Sequence, residues 1–201
     1  MKLNIIIVGV GGQGALTTAG ILARAAMRSG LNVITAETHG MAQRGGSVEV
    51  HVRIGNVRAP LIPIGAADIM IALEPSEALR YAKYLNPQTT IILNTRKIIP
   101  PSVTTGISTY PSLEKIIRTL KSITDKIFAV NASEIAEEAG NILTSNVVVL
   151  GILLGITDIP VNYTGIEETI KEVMPASVVD VNLKALKLGY DYSKSIRPSV
   201  V

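Results

Sequence analysis

The sequence contains no cysteine, no tryptophan and a single phenylalanine among its 201 residues. Without thiolates the chain cannot form a disulfide, ligate zinc through sulfur or hold an iron–sulfur cluster by itself. The same absence suits an intracellular setting, and a cytoplasmic location is expected. The two histidines, His39 and His51, lack helical ligand spacing and a carboxylate cluster, so no metal site is expected. Charge of one sign is also scarce, with 19 Lys and Arg against 16 Asp and Glu, interspersed along the chain. A nucleic-acid surface normally shows a basic stripe or stacking aromatics, so that class is set aside. Long apolar runs are missing as well. Val147 to Ile156 is broken by Gly151 and Gly155 and falls well short of the roughly 20 residues that cross a bilayer. Lys2 leads at once into a strand ending in glycines, which is not the pattern of a secretory leader. Neither a G-x-S-x-G elbow nor a Walker A lysine occurs.

What is present begins at Leu3–Val8, a continuous apolar run expected to be a strand covered on both faces. It feeds Gly9-Val10-Gly11-Gly12-Gln13-Gly14 and then a helical stretch, Ala15 to Arg28. In that setting Gly9 permits a tight turn, Gly11 lets backbone approach a ligand, and Gly14 allows close helix–strand packing. Backbone N–H groups at such a helix start can hold a phosphate. The helix is expected to bury Leu16, Ala19, Ala23, Ala26 and Met27. A second strand, Asn32–Ala36, ends at Glu37, placed to take ribose hydroxyls if a dinucleotide binds. The alternative is that the glycines serve packing only.

Ser47 to Ile54 alternates strictly. Val48, Val50, Val52 and Ile54 are assigned to the core, and Ser47, Glu49, His51 and Arg53 to water or a partner, with His51 an outward strand tip. Gly55-Asn56 then predicts a turn, with Val57–Leu61 returning antiparallel at the edge of the sheet. Further strands are expected at Asp68–Leu73, Thr89–Asn94 and Lys126–Val130, and an irregular connection over 97–112. Helices are expected at Glu77–Leu85, Leu113–Ile123, Ala132–Ala139, Asn146–Thr157, Tyr163–Val173 and Val178–Ser195. The fold class is therefore α/β: a Rossmann-like, mostly parallel sheet flanked by helices, with an antiparallel hairpin extension and a helical C-terminal segment. Residues 1–201 read as one domain, long enough to bury about 70% of its extended surface.

The segment Glu37-Thr38-His39-Gly40-Met41-Ala42-Gln43-Arg44-Gly45-Gly46 has no apolar period. Loops of that length inside a domain are usually functional. Arg44 is suited to clamp a carboxylate or phosphate, with the amides of Gly45 and Gly46 beside it.

These two glycine-bearing stretches, with Ser47 closing the second, resemble the gamma-type domain of 2-oxoacid:ferredoxin oxidoreductases, and the His39–Gly46 version is closest to the indolepyruvate branch. Asn146-Val147-Val148-Val149-Leu150-Gly151 and Asn182–Tyr190 share the likeness, so it spans nearly the whole chain. The resemblance implies an accessory subunit, inactive alone, of a complex that oxidatively decarboxylates arylpyruvates to acyl-CoA and reduces ferredoxin. It places thiamine diphosphate, Mg2+ and [4Fe–4S] clusters on a larger alpha subunit, makes CoA a co-substrate, and leaves no cofactor bound by this chain alone. The residues expected to face a cofactor or that partner are Gly9, Gly11, Gly12, Gln13, Gly14, Glu37, His39, Gly40, Met41, Gln43, Arg44, Gly45, Gly46 and Asn146. Competing readings are a NAD(P)-dependent dehydrogenase using the glycine turn, an adenylating enzyme of the ubiquitin-activating type, and a purely structural scaffold.

Overall fold

The computed structural model describes residues 1–39 and 45–199, the side chain of His39 excepted. Its frame is a six-stranded sheet of β1 (Lys2–Val10), β2 (Val33–His39), β3 (Ser47–Gly55), β4 (Ile69–Ala72), β5 (Thr90–Asn94) and β6 (Ile127–Val130). The strand order is β2-β3-β1-β4-β5-β6. β1, β4, β5 and β6 run parallel, and β3 lies antiparallel between β1 and β2.

β1 earns its central place by being apolar on both faces. Ile5 and Ile7 enter one buried cluster and Ile6 and Val8 the other, each burial contributing roughly 1.5–3 kcal/mol. The first cluster lies beneath α1 (Ala15–Arg28), α5 (Ala132–Ala139), α6 (Ser145–Ile156), α7 (Tyr163–Val173) and α8 (Ala176–Ser193). The second is covered by α2 (Pro75–Arg80) and α4 (Leu113–Lys121). A short α3 (Pro101–Thr104) interrupts the connection expected to be irregular.

Three expectations are corrected. The hairpin is β2–β3, and β3 is inserted into the sheet, whereas residues 57–61 form no strand. Alternation reports that a strand has two faces; it does not say which strands lie beside it. Second, the polar face of β3 is not solvated: Glu49, His51 and Arg53 are buried, His51 completely. Residues 57–62 and Tyr84 cover it, supplying Ile62 N–H to His51 Nδ1 at 3.2 Å and two carbonyl acceptors to Arg53. Third, Leu16 and Met27 on α1 are 47% and 61% exposed, while Ala15, Thr18, Ile21, Leu22 and Ala25 are buried. Ala19 and Ala26 are buried as expected, so the buried face is shifted by about one residue at each end of the helix.

β2 also runs further than expected, which places Glu37 inside the strand, with its side chain exposed. The pair α6 and α8 closes the molecule. A Cβ built on Gly151 would lie 2.2 Å from Leu186 O, and one on Gly189 would lie 2.1 Å from Val148 O. The two backbones therefore touch, which only glycine allows.

Candidate functional site at the carboxyl edge of the sheet

The carboxyl ends of β1, β4 and β5 meet where the crossovers part: α1 returns over one face and α2 over the other. Open α/β sheets bind ligands at such a switch point. Here the glycine turn is folded around its own glutamine. Gln13 Oε1 accepts from Val10 N–H at 2.9 Å, and Gln13 Nε2 donates to Leu73 O, the end of β4, at 2.8 Å. Gly9 leaves room for it, since an added Cβ would meet Gln13 Oε1 at 2.8 Å. Asn94, buried at the end of β5, donates to the same Leu73 O at 3.4 Å and accepts from Ala132 N–H at 3.2 Å. Two amide side chains thus lace three strand ends together.

Gly12 and Gly14 take left-handed backbone, φ +99° and +82°, a conformation other residues adopt only with strain. Gly14 was expected to allow close helix–strand packing; its near neighbour is instead Asn146 on α6, where an added Cβ would lie 2.6 Å from Nδ2. Asn146 Nδ2 donates to Gly14 O and to Thr18 Oγ1, both at 3.3 Å. Expected to face a cofactor or partner, Asn146 is instead buried, and it ties the start of α6 to the start of α1.

The second loop is joined to the first. Gly11 N–H donates to Gly46 O at 2.8 Å, and Gly45 N–H donates to Gly11 O at 3.3 Å. These two bonds set Gly45 and Gly46 against Gly11 just past the last ladder pair, Val10↔Ser47. Among the expected site residues, Gly9, Gly11, Gln13, Gly14, Gly45 and Gly46 are therefore joined by hydrogen bonds around one turn, with Gly12 at its bend. Gly40, Met41, Gln43 and Arg44 lie outside the described residues, as does the side chain of His39.

Beside this unit opens a cleft of about 230 Å³, lined among others by Gly11, Gly12, Arg96, Ser133, Leu143 and Ser145. Arg96 is exposed and also lines the neighbouring open groove between β5 and α5. The cleft offers one cation, two hydroxyls and backbone, with Leu143 74% exposed at its lip. Such a set can hold an anionic or polar group. The described residues bring no nucleophile and base together there.

Sequence reading missed the buried carboxylates behind this edge. Glu74 accepts from Ser76 N–H at 2.7 Å, Ser76 Oγ at 2.6 Å, Glu77 N–H at 3.1 Å and Ile98 N–H at 3.3 Å, and from Tyr110 Oη. It caps α2 and fastens the segment carrying Arg96 to the sheet. Burial and the Glu74 charge push the Tyr110 phenol up, keeping it a donor. The signal was available: Glu74-Pro75 is an acceptor directly before a proline-started helix. His51 is held neutral in the same way. Burial lowers its pKa, Glu49 opposes this in part, and Lys83 and Arg53 add to the lowering.

The dinucleotide arrangement is not formed. β3 separates β2 from β1, which sets Glu37's strand about 10 Å from the glycine turn's strand, two strand spacings instead of one. The Gly11 N–H is already engaged. No group of three or more His, Asp or Glu among the described residues could hold a metal ion, and no described helix is long and apolar enough to cross a membrane.

The structure thus defines a mixed α/β fold with a hydrogen-bonded glycine turn and an open cleft at the carboxyl edge of its sheet. The family model "Pyruvate ferredoxin/flavodoxin oxidoreductase" matches residues 4–192. The chain is 67% identical over 201 residues to the indolepyruvate oxidoreductase subunit IorB of Archaeoglobus fulgidus, covering 100% of both. Against the same-named subunit of Pyrococcus horikoshii it is 43% identical over 197 residues, 97% of this chain and 98% of that one. The gamma subunit of a keto/oxoacid ferredoxin oxidoreductase from Geobacter sulfurreducens shares the fold, with a TM-score of 0.71 and 22% identity over 96% of this chain and 99% of that one. The chain belongs to the pyruvate ferredoxin/flavodoxin oxidoreductase family. Within it, the chain is an accessory subunit of an oxoacid:ferredoxin oxidoreductase.

Proposed function

We propose that residues 1–201 form a single gamma-type domain that serves an indolepyruvate, or more broadly arylpyruvate, ferredoxin oxidoreductase. The observation that carries this is the 67% identity, end to end, to a subunit of that name. The complex converts a 2-oxoacid and CoA to acyl-CoA and carbon dioxide, and the electron pair released passes to ferredoxin. Thiamine diphosphate with Mg2+ and the [4Fe–4S] clusters belong to the larger alpha subunit, where they supply decarboxylation and electron transfer. This chain has no cysteine for a cluster. Its own part is to present the carboxyl edge of the sheet: the Gln13-laced turn, the paired glycines Gly11, Gly45 and Gly46, and Arg44 three residues before Ser47. Arg44 faces an anionic group of the shared site, whether a cofactor phosphate, CoA or a carboxylate of the partner. The working compartment is the cytoplasm.

An Arg44→Ala variant, reconstituted with the alpha subunit, tests this. Losing a charge-assisted contact worth roughly 1.5–3 kcal/mol lowers kcat/KM for CoA or the oxoacid by about ten- to a hundredfold. Wild-type turnover with unchanged CoA dependence would remove Arg44 from the site and favour a scaffold role for the chain.

A further inference from the structure

The sheet ends on β2, which among the described residues is paired on one side only, with β3. Asn32 O accepts from Gly55 N–H at 2.7 Å. By the antiparallel alternation Ile34 and Ala36 then bond inward to β3, and Val33, Thr35 and Glu37 turn their N–H and C=O groups outward. Free strand edges are usually guarded by a lysine, a proline or a bulge. Val33 to Glu37 carries none of these, and its register against β3 is unbroken. Beside this edge an open groove of about 510 Å³ runs between α1 and β2. It is lined among others by Leu16, Gly20 and Ala23 of α1, Thr35 and Glu37 of β2, and Val50 of β3.

The helix wall of the groove includes residues that the apolar pattern assigns to the core. Leu16, Gly20, Ala23 and Met27 recur at intervals of four, three and four and so share one face. Leu16 and Met27 are 47% and 61% exposed. The stripe is symmetric about its own midpoint, with large side chains at both ends and small ones at the centre. β1 and β2 point the same way, each being antiparallel to β3. α1 therefore runs back along β2, with Leu16 towards the end of that strand and Met27 towards its start.

We propose that a second copy of this chain docks on this face, the two β2 strands pairing antiparallel about a two-fold axis near Ala36 and the two α1 helices lying side by side. A two-fold interface has to be self-complementary, and this one is. Thr35 exchanges backbone bonds with Glu37 of the second copy. Leu16 comes opposite Met27 of the second copy, and Gly20 opposite Ala23 of the second copy. The charges match as well. With the midpoints of the helix stripe and the strand on the axis, Arg24 and Glu37 of the second copy both lie about 3–4 Å along the interface, on the same side. Both residues are exposed, and among the described residues neither is drawn into an ion pair within its own chain. The stripe is about 17 Å long, which puts the interface at the small end of specific ones. Association is expected at micromolar concentration.

Sedimentation velocity of the purified full-length chain, from about 1 to about 100 μM, tests this. The wild type is expected to pass from monomer to dimer across that range. Arg24→Glu sets like charges together at both symmetric contacts and is expected to weaken association roughly tenfold or more, as is Glu37→Arg. The two substitutions combined exchange the charges and are expected to restore the dimer. Leu16→Gln alters no charge, and by wetting the end of the stripe it is expected to weaken association roughly tenfold. It stands in for the charge variants should either fail to fold. A chain that stays monomeric at about 100 μM overturns the proposal. So does a dimer indifferent to these substitutions, which pairs through another face, and so does a combined variant no better than its parents. A dimer that the alpha subunit dissolves into a one-to-one pair also overturns it, because the groove then belongs to that subunit.

Discussion

The seam between α6 and α8 and the seam under the polar face of β3 are both sealed from water, by opposite means. The helical seam is closed by removing atoms: Gly151 and Gly189 let backbone lie on backbone. The strand seam is closed by matching atoms. Arg53 donates to Asn4 Oδ1 at 2.9 Å, Ala59 O at 2.7 Å and Leu61 O at 3.0 Å, and His51 bridges Glu49 and Ile62 N–H. The first tolerates no added volume and is indifferent to charge. The second has room to relax but tolerates no loss of a partner.

The largest effect that separates them is Gly151→Ala. One methyl group, placed 2.2 Å from Leu186 O and 2.7 Å from Tyr190 N, forces the helices apart. We expect about 3 kcal/mol of destabilisation, or a fall of roughly 10 °C in Tm for a chain of this size. An unchanged melting curve would mean that the seam is looser than its geometry states. Next comes Arg53→Met, which keeps most of the volume and removes the donors. Three acceptors lose a charged donor, Asn4 Oδ1 among them in the interior, at about 2 kcal/mol in urea unfolding. A neutral result would show that packing alone holds the strand seam, and the contrast would collapse.

The smallest effect is pH dependence. The folded-state pKa of His51 is lowered, because burial disfavours the imidazolium and Lys83 and Arg53 repel it, while Glu49 offsets part of this. Tyr84 packs its ring edge-on against it and contributes no positive charge. The unfolded chain therefore binds the proton more readily than the folded one. Stability is complete above the unfolded pKa of roughly 6.5 and declines as pH falls from there towards the lowered folded value. The urea midpoint should drop between pH 7 and pH 5 more in the wild type than in His51→Gln. Equal slopes in the two proteins would show that His51 takes no part.

The contrast also explains what the sequence disclosed. α5 and α7 occupy the residues expected of them, Ala132–Ala139 and Tyr163–Val173. Their signals are local: Asn131 and Asn162 accept from Glu134 N–H and Gly165 N–H, three residues on. β1 was legible because four apolar residues in a row, Ile5 to Val8, show no alternation and so point to a strand covered on both faces. The place of β3 was not, since a strand's neighbours are chosen by chain crossings that leave no mark on its own residues. Nor was the burial of Glu49, His51 and Arg53, because the cover comes from residues 57–62 and from Tyr84, more than thirty positions beyond Glu49. At the candidate site the glycines announced themselves, as did the segment ending at Gly46. Gln13 was named among them as a residue facing a cofactor or partner, but its role in lacing the turn to Leu73 O left no local mark. Glu77 was silent, because its bond with Ser47 Oγ spans thirty residues of chain.

α6 is apolar on every side, and its cover is supplied chiefly by α8, the last helix of the chain. During synthesis this greasy segment emerges from the ribosome ahead of residues 176–193, and until they follow and pack on it the nascent polypeptide is a natural client for chaperones that shelter hydrophobic surface.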